Sequence, residues 1–227
     1  MTVSYRNYEL NSEPVSSAAV VPARHQGPYA RYGKRAVDIV LVLLALPAVV
    51  PMVLLFAVII ALDGHNPFYT QSRVGLNNRV FRMWKLRSMV PNAKEKLGQY
   101  LSSNPAARAE WNETQKLRND PRITAIGGII RKFSIDELPQ LWNVLKGDMS
   151  IVGPRPMMTE QRCLYPGKAY YRLRPGITGP WQVSERNQTS FAARAIFDED
   201  YEKSLTARTD LQLMLKTVSV IIRGTGC

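Results

Sequence analysis

Between Ile39 and Leu62 the chain runs for 24 residues without a charge, IVLVLLALPAVVPMVLLFAVIIAL. A straight helix of that length, rising about 1.5 Å per residue, is long enough to cross a bilayer core of about 30 Å. The run is too long, and begins too far from Met1, for the core of a signal peptide. Two features argue against simple spanning. Pro47 and Pro51 lie inside it; each lacks an N–H, and each ring crowds the carbonyl four residues earlier. Pro51 divides the run into two arms of 12 residues, each about 18 Å long if helical, roughly half a membrane. Cations also flank both ends: Arg24, Arg31, Lys34 and Arg35 before it, and Arg73, Arg79, Arg82, Lys85 and Arg87 after it. Basic residues on both sides give the positive-inside rule no orientation. A helix that enters, breaks at Pro51 and returns to the same leaflet meets both observations. A kinked transmembrane helix meets the first.

Composition narrows the partners. The formal charge of +12 over 227 residues favours anions: phosphate-bearing substrates, lipid headgroups or nucleic acid. Nucleic acid is disfavoured, because no element interleaves basic with aromatic residues. Cys163 and Cys227 are far apart, as are His25 and His65, so neither a disulfide framework nor a histidine or cysteine metal site is expected. The first 30 residues lack periodicity and read as a flexible tail. The segment 31–64 then holds the membrane helix, and 65–227 the remaining domain.

Asn66 to Met89 reads as a β-hairpin with its turn at Gly75-Leu76-Asn77-Asn78. Residues 92–118 are polar and suit one solvated helix. Leu138, Leu141, Trp142 and Leu145 have helical spacing, and Gly147 stands where a C-cap is wanted, so a helix is expected from about Asp136 to Lys146. Leu211, Met214, Leu215, Val218 and Ile222 repeat that spacing near the C-terminus, as a core helix that also touches a membrane or as an interfacial one. Asp198-Glu199-Asp200 with Glu202 reads as a solvated helix face rather than a cation site.

The segment Arg131–Pro156, RKFSIDELPQLWNVLKGDMSIVGPRP, carries the chemistry. Asp136 and Glu137 stand behind Arg131 and Lys132, at an expected helix start whose free N–H groups favour anions. That field suits an ionised nucleophilic carboxylate with a phosphate nearby. Two capping readings compete: Ser134-x-x-Glu137 has the form of a capping box, and Asp136 could be an N-cap. Pro139 favours a later helix start and weakens the box. Gly153-Pro154-Arg155-Pro156 and the loop from Arg174 to Gly179 each present one guanidinium suited to phosphate.

Four blocks in order then resemble the bacterial sugar transferases, the monotopic phosphoglycosyl transferases that begin exopolysaccharide, capsule and glycoconjugate assembly. They are Asn119–Thr124, Asp136–Pro156, Arg174–Gly179, and Gln182-Val183 with Arg186-Asn187. The resemblance runs from about Arg35 to Gly226 and is strongest to exopolysaccharide-initiating galactosyl-phosphate transferases. It implies an α+β, mainly helical, monotopic membrane protein: a re-entrant helix broken at Pro51, a β-hairpin and interfacial helices around a small cytoplasmic catalytic domain on the bacterial inner membrane. It implies attack by Asp136 on a UDP-sugar, with a covalent sugar-phosphate intermediate, release of UMP, and transfer to undecaprenyl or another polyprenyl phosphate. Galactose or glucose is the favoured sugar. Mg²⁺ is implied at Asp136, and Glu137 as its partner. Arg131, Arg155 and Arg174 are implied phosphate ligands; Lys85, Gln182, Arg186 and Asn187 are nucleotide-sugar candidates. Inner-membrane lipids and a second copy in a homodimer are the other expected partners. The rival reading is a non-catalytic membrane scaffold of a polysaccharide assembly complex.

Overall fold

The computed structural model describes residues 27–114, 117–184 and 191–222. A π-helical turn, Tyr29–Gly33, leads into α1 (Lys34–Ala61). Strands β1 (Phe68–Val74) and β2 (Val80–Leu86) follow, then α2 (Ala93–Ser103), α3 (Pro105–Thr114), α4 (Ala125–Lys132) and α5 (Gln140–Lys146). The chain continues through β3 (Ser150–Val152), α6 (Ala169–Arg172), β4 (Gly176–Thr178), α7 (Arg194–Lys203) and α8 (Ala207–Ile222). The architecture is mainly helical, with β1–β2 and β3–β4 as two separate two-stranded sheets. Arg186 and Asn187 lie outside the described residues.

The described residues form two compact units. One comprises 27–42, 71–83, 141–184 and 191–218; the other comprises 43–70, 84–114, 117–140 and 219–222. Helix α1 and the hairpin strands each contribute to both.

The helix expected to break at Pro51 does not: α1 continues in helical conformation through Pro47 and Pro51, each proline removing one backbone donor without ending the helix. It is the one helix among the described residues long and apolar enough to cross a membrane. Most of its apolar side chains are exposed, among them Val40, Leu43, Leu44, Leu54, Leu55 and Val58. Each such side chain left in water forgoes about 1.5–3 kcal/mol of burial free energy, and a patch of this extent marks a surface meant for a non-aqueous neighbour. An exposed apolar surface of this extent on α1 suits attachment to a membrane.

In the second unit, Val53, Phe56, Ala57 and Ile60 of α1 share one helical face. They pack with Phe68, Leu86, Ile126, Ile130 and Ile135. Arg87 fixes the end of the helix: it donates to the Ile60 carbonyl (3.2 Å), the Asn66 carbonyl (2.8 Å) and both Asp63 carboxylate oxygens (2.6 and 2.8 Å). Those bonds to Arg87 hold the Asp63 carboxyl down at about 2. The polar stretch 92–118 forms two helices rather than one. Pro105 cannot continue α2 and disfavours helical backbone at Asn104; Asn104 instead caps α3, its Oδ1 accepting from the Ala107 N–H at 3.0 Å. The block Asn119–Thr124 is structural. Asp120 accepts two hydrogen bonds from the Arg122 side chain (2.8 and 2.5 Å), Arg122 lies over Trp111, and Thr124 caps α4 through the Gly127 N–H.

In the first unit, β3 and β4 pair in parallel, Ser150 opposite Gly176 and Val152 opposite Thr178. The Gly153 N–H donates to the Thr178 carbonyl and the Gly176 N–H to the Pro154 carbonyl, each at 2.8 Å. A Cβ at Gly153 or Gly176 would collide with the facing backbone, which is why the two motif loops need glycine where they cross. Buried Asp38 of α1 accepts from Ser150 Oγ and the Ile151 N–H, each at 3.0 Å, and Arg35 donates to the Val144 and Leu145 carbonyls. Tyr165, Tyr170 and Tyr171 pack edge-to-face with centroids 5.6–6.0 Å apart, against Val74, Met157 and Ala195.

Three expectations need correction here. Helix α5 begins at Gln140, after Pro139, and its buried positions are Gln140, Asn143 and Val144, while Trp142 is 58% exposed. Asn143 is buried because its Nδ2 donates to the Arg82 carbonyl (2.8 Å) and to Asp148 (3.2 Å), so a polar side chain takes the place expected of an apolar one. On α8, Asp210 and Leu213 are buried while Leu211, Leu215 and Val218 face outward. Asp210 draws that face inward by accepting from Lys34 (2.6 Å), Tyr29 (2.7 Å) and Tyr201 (2.5 Å). The acidic run on α7 is not wholly solvated: Glu199 and Asp200 are exposed, but Asp198 and Glu202 are buried. Glu202 forms a bidentate pair with Arg172 (both 2.5 Å), and Asp198 accepts from the Tyr165 hydroxyl at 2.8 Å.

Burial pushes the Asp198 carboxyl up to about 7, against the opposing pull of Tyr165 and Arg194. As pH rises from about 4 to about 7 the unfolded chain gives up a proton that the folded chain keeps, costing the fold about 1.4 kcal/mol per unit. Asp198→Asn removes this dependence while keeping an acceptor for Tyr165. The variant is therefore expected to melt above the wild type at pH 8, and the gain is expected to shrink steadily toward pH 4, as read by thermal unfolding across that range.

Candidate active site

Asp136 and Glu137 occupy a single 3₁₀ turn, Ile135–Glu137, between α4 and α5. Ile135 anchors the turn in the apolar cluster of the second unit, and Pro139 separates it from α5. Ser134 enters the turn in left-handed backbone (φ 55°) and makes no side-chain capping bond, an unusual conformation for a residue with a side chain. Neither capping reading is therefore realised: the Ser134 side chain caps nothing, and Glu137, Leu138 and Pro139 separate Asp136 from α5.

The geometry is that of a buried carboxylate beside a half-buried one, with a shared cation. Asp136 is 7% exposed. Lys85 Nζ, from the end of β2, lies 2.8 Å from Glu137 Oε1 and 3.8 Å from Asp136 Oδ2. Burial raises the Asp136 carboxyl above the usual range and Glu137 adds to that; Lys85, then Arg131, and the residue's own N–H oppose it. Arg131 sits in the last turn of α4, which places its charge near the pair. An anionic nucleophile in an apolar setting needs such cations to stay ionised. Lys85, Arg131, Asp136 and Glu137 thus form one group in the second unit.

The described residues contain no cluster of three or more His, Cys, Asp or Glu able to hold a metal. Two adjacent carboxylates nevertheless fit Mg²⁺, which is commonly held by one or two carboxylates together with substrate phosphates.

In the first unit, Arg155 and Arg174 belong to the paired motif loops but have different neighbours. Arg174 Nε donates to the Gly147 carbonyl at 3.0 Å; burial and Arg35 pull its guanidinium down, and Asp38 opposes them. Arg155 lies over the Trp181 ring, 5.6 Å from its centroid. Gln182 is buried, with Oε1 lacking a hydrogen-bond partner. Arg194 lies over the same Trp181 ring at 4.1 Å and over Phe191 at 4.5 Å. Sequence reading passed over Trp181 and Arg194. Trp181 adjoins the Gln182 motif, but spacing gives no hint that Arg155 and Arg194 share its ring.

The family model described as bacterial sugar transferase matches residues 29–224, and the chain belongs to that family. It is 42% identical over 202 residues to the exopolysaccharide production protein ExoY of Sinorhizobium fredii, covering 88% of this chain and 89% of that protein. It is 44% identical over 198 residues to the UDP-galactose-lipid carrier transferase of Erwinia amylovora and, over the same length, to the undecaprenyl-phosphate galactose phosphotransferase of Salmonella typhimurium. Each of these two matches covers 86% of this chain but only 42% of the relative.

The Lys85–Glu137 contact joins two partly shielded charges, so it is stronger than an exposed surface pair. A double-mutant cycle with Lys85→Met and Glu137→Gln, read by chemical denaturation, is expected to give a coupling of about 1–2 kcal/mol. Additive effects of the two substitutions would mean that the ion pair does not organise the site.

Proposed function

We propose that this chain transfers a sugar-1-phosphate from a UDP-sugar to a polyprenyl phosphate at a bacterial inner membrane, with galactose as the first sugar to test. The observation that carries this reading is the buried Asp136 carboxylate held beside Glu137 and Lys85 in a chain of the bacterial sugar transferase family. The names of the Erwinia and Salmonella relatives support the class of donor and acceptor.

In the first step an Asp136 carboxylate oxygen attacks the phosphorus bonded to the sugar. The bond from that phosphorus to the bridging oxygen breaks, UMP leaves with the electron pair, and the sugar phosphate remains on Asp136 as an acyl phosphate. In the second step an oxygen of the polyprenyl phosphate attacks the same phosphorus, the acyl-phosphate bond breaks, and the Asp136 carboxylate is restored. Lys85 and Arg131 keep Asp136 ionised before attack and offset the charge of an incoming phosphate. Glu137 holds Lys85 in place and supplies a second carboxylate oxygen to the pair. Mg²⁺ bound by Asp136 with Glu137 would neutralise diphosphate charge.

Helix α1 supports a membrane-bound arrangement. We take α1 to bend at its prolines so that both of its ends stay at one leaflet, with the domain on the cytoplasmic face. The outward stripe Leu211, Leu215 and Val218 of α8 suits the same interface.

Asp136→Asn is expected to lower UMP release from UDP-galactose, in the presence of Mg²⁺ and undecaprenyl phosphate, by about a thousandfold or more, with a melting temperature no lower than that of the wild type. Near-normal release by the variant would refute the assignment. No release by the wild type with any UDP-sugar would instead support a scaffold.

A further inference from the structure

The part-buried arginines of this chain are mostly satisfied internally. Arg172 pairs with Glu202, Arg122 with Asp120 and Arg87 with Asp63; Arg35 and Arg174 donate to backbone carbonyls. Arg155 and Arg194 differ. Among the described residues neither forms an ion pair, and both rest on the Trp181 ring. Arg194 Nε is buried without a hydrogen-bond partner. Burial, with repulsion from Arg155 and Arg73, brings the Arg194 guanidinium down to about 10 against the attraction of Asp198, still charged at neutral pH. Asp198 spends its hydrogen bond on Tyr165 and leaves Oδ1 without a partner, so it does not neutralise Arg194 by direct contact.

A cation over an indole gains only modestly, which does not offset crowding guanidinium groups together in a half-buried setting. The missing element is an anion. Two guanidinium groups with unused N–H donors match a doubly charged phosphoryl group better than a single carboxylate. The Trp181 ring is already covered by guanidinium, which argues against its stacking a nucleobase.

We propose that Arg155 and Arg194, stacked on Trp181, form a binding site for a phosphoryl oxyanion carried by one of the two substrates. The proposal rests on the transferase reading, which supplies phosphate from two sources: the nucleotide of the donor and the headgroup of the lipid acceptor. It adds Arg194 and Trp181 to the residues that recognise substrate.

The test is arginine labelling by phenylglyoxal on the full-length protein in detergent micelles, read by peptide mass spectrometry. UMP and a short-chain polyprenyl phosphate serve as separate protecting ligands. At least one is expected to slow labelling of both Arg155 and Arg194 about tenfold while leaving exposed Arg118 unaffected. Protection by UMP alone assigns the site to the donor, and protection by the polyprenyl phosphate alone assigns it to the acceptor. Failure of both ligands to protect either arginine overturns the proposal, and because this arm uses the wild type it does not depend on a variant folding. In a second arm, Arg194→Met is expected to weaken binding of the protecting ligand by about tenfold or more, with Arg194→Lys recovering part of the loss. Binding by Arg194→Met equal to wild type would also overturn the proposal. Asp136→Asn separates the two ideas. If it stays active while Arg155 and Arg194 are protected, the nucleophile assignment fails and the anion site stands. If it is inactive and neither arginine is protected, the reverse holds.

Discussion

Two carboxylates at neighbouring positions, one of them buried, cannot both remain ionised without a cation close by. That constraint organises the second unit. Lys85 must reach Glu137 and Asp136 from the end of β2, so the hairpin has to close in a fixed register. Asn77 and Asn78 make that closure possible by adopting left-handed backbone in the turn. The 3₁₀ turn carrying the pair must be held still, which Ile135 achieves by packing among Ile60, Leu86 and Ile130. Helix α4 must then end with Arg131 nearby. Thr124 and Asp120 fix where α4 begins, and so where Arg131 in its last turn lies.

The same logic of fixing polar groups at the ends of an apolar element explains α1. Its exposed side chains belong in lipid, and lipid alone gives a helix no rotational or axial register. Specific polar ties supply it. Arg35 and Asp38 bind backbone and hydroxyl groups of the first unit near the start of the helix. Arg87 binds the Ile60 carbonyl near its end and Asp63 just beyond it, within the second unit. The charged members of these ties, Arg35, Asp38, Asp63 and Arg87, lie outside the uncharged run, where ionic groups cost least.

Much of this was legible in the sequence, for physical reasons that can be named. The hairpin announced itself because strand formers flank a Gly-Leu-Asn-Asn turn. The Asp136-Glu137 pair stood out because two acids behind two bases before a proline are hard to read as plain surface. What stayed hidden depended on tertiary partners. Asn143 replaced an apolar residue on the buried face of α5 because a backbone carbonyl of β2 needed its amide. Asp198 and Glu202 were withdrawn from solvent by Tyr165 and Arg172, more than 30 positions away for Asp198 and 30 for Glu202. The apolar stripe of α8 faced outward because Asp210, on the other face, satisfied Lys34, Tyr29 and Tyr201. Arg194 carried no signal at all, since its significance lies in sharing one indole ring with an arginine 39 positions earlier.

Everything proposed for catalysis turns on Asp136 becoming covalently phosphorylated by the sugar phosphate. The most direct measurement is rapid-quench peptide mass spectrometry of the membrane protein mixed with UDP-galactose and Mg²⁺ in the absence of polyprenyl phosphate. A peptide containing Asp136 should gain the mass of one hexose phosphate, and the adduct should disappear on adding polyprenyl phosphate. UMP release and lipid-linked product without any adduct on that peptide, at times shorter than one turnover, would contradict a nucleophilic Asp136 and leave direct transfer between the two substrates as the mechanism.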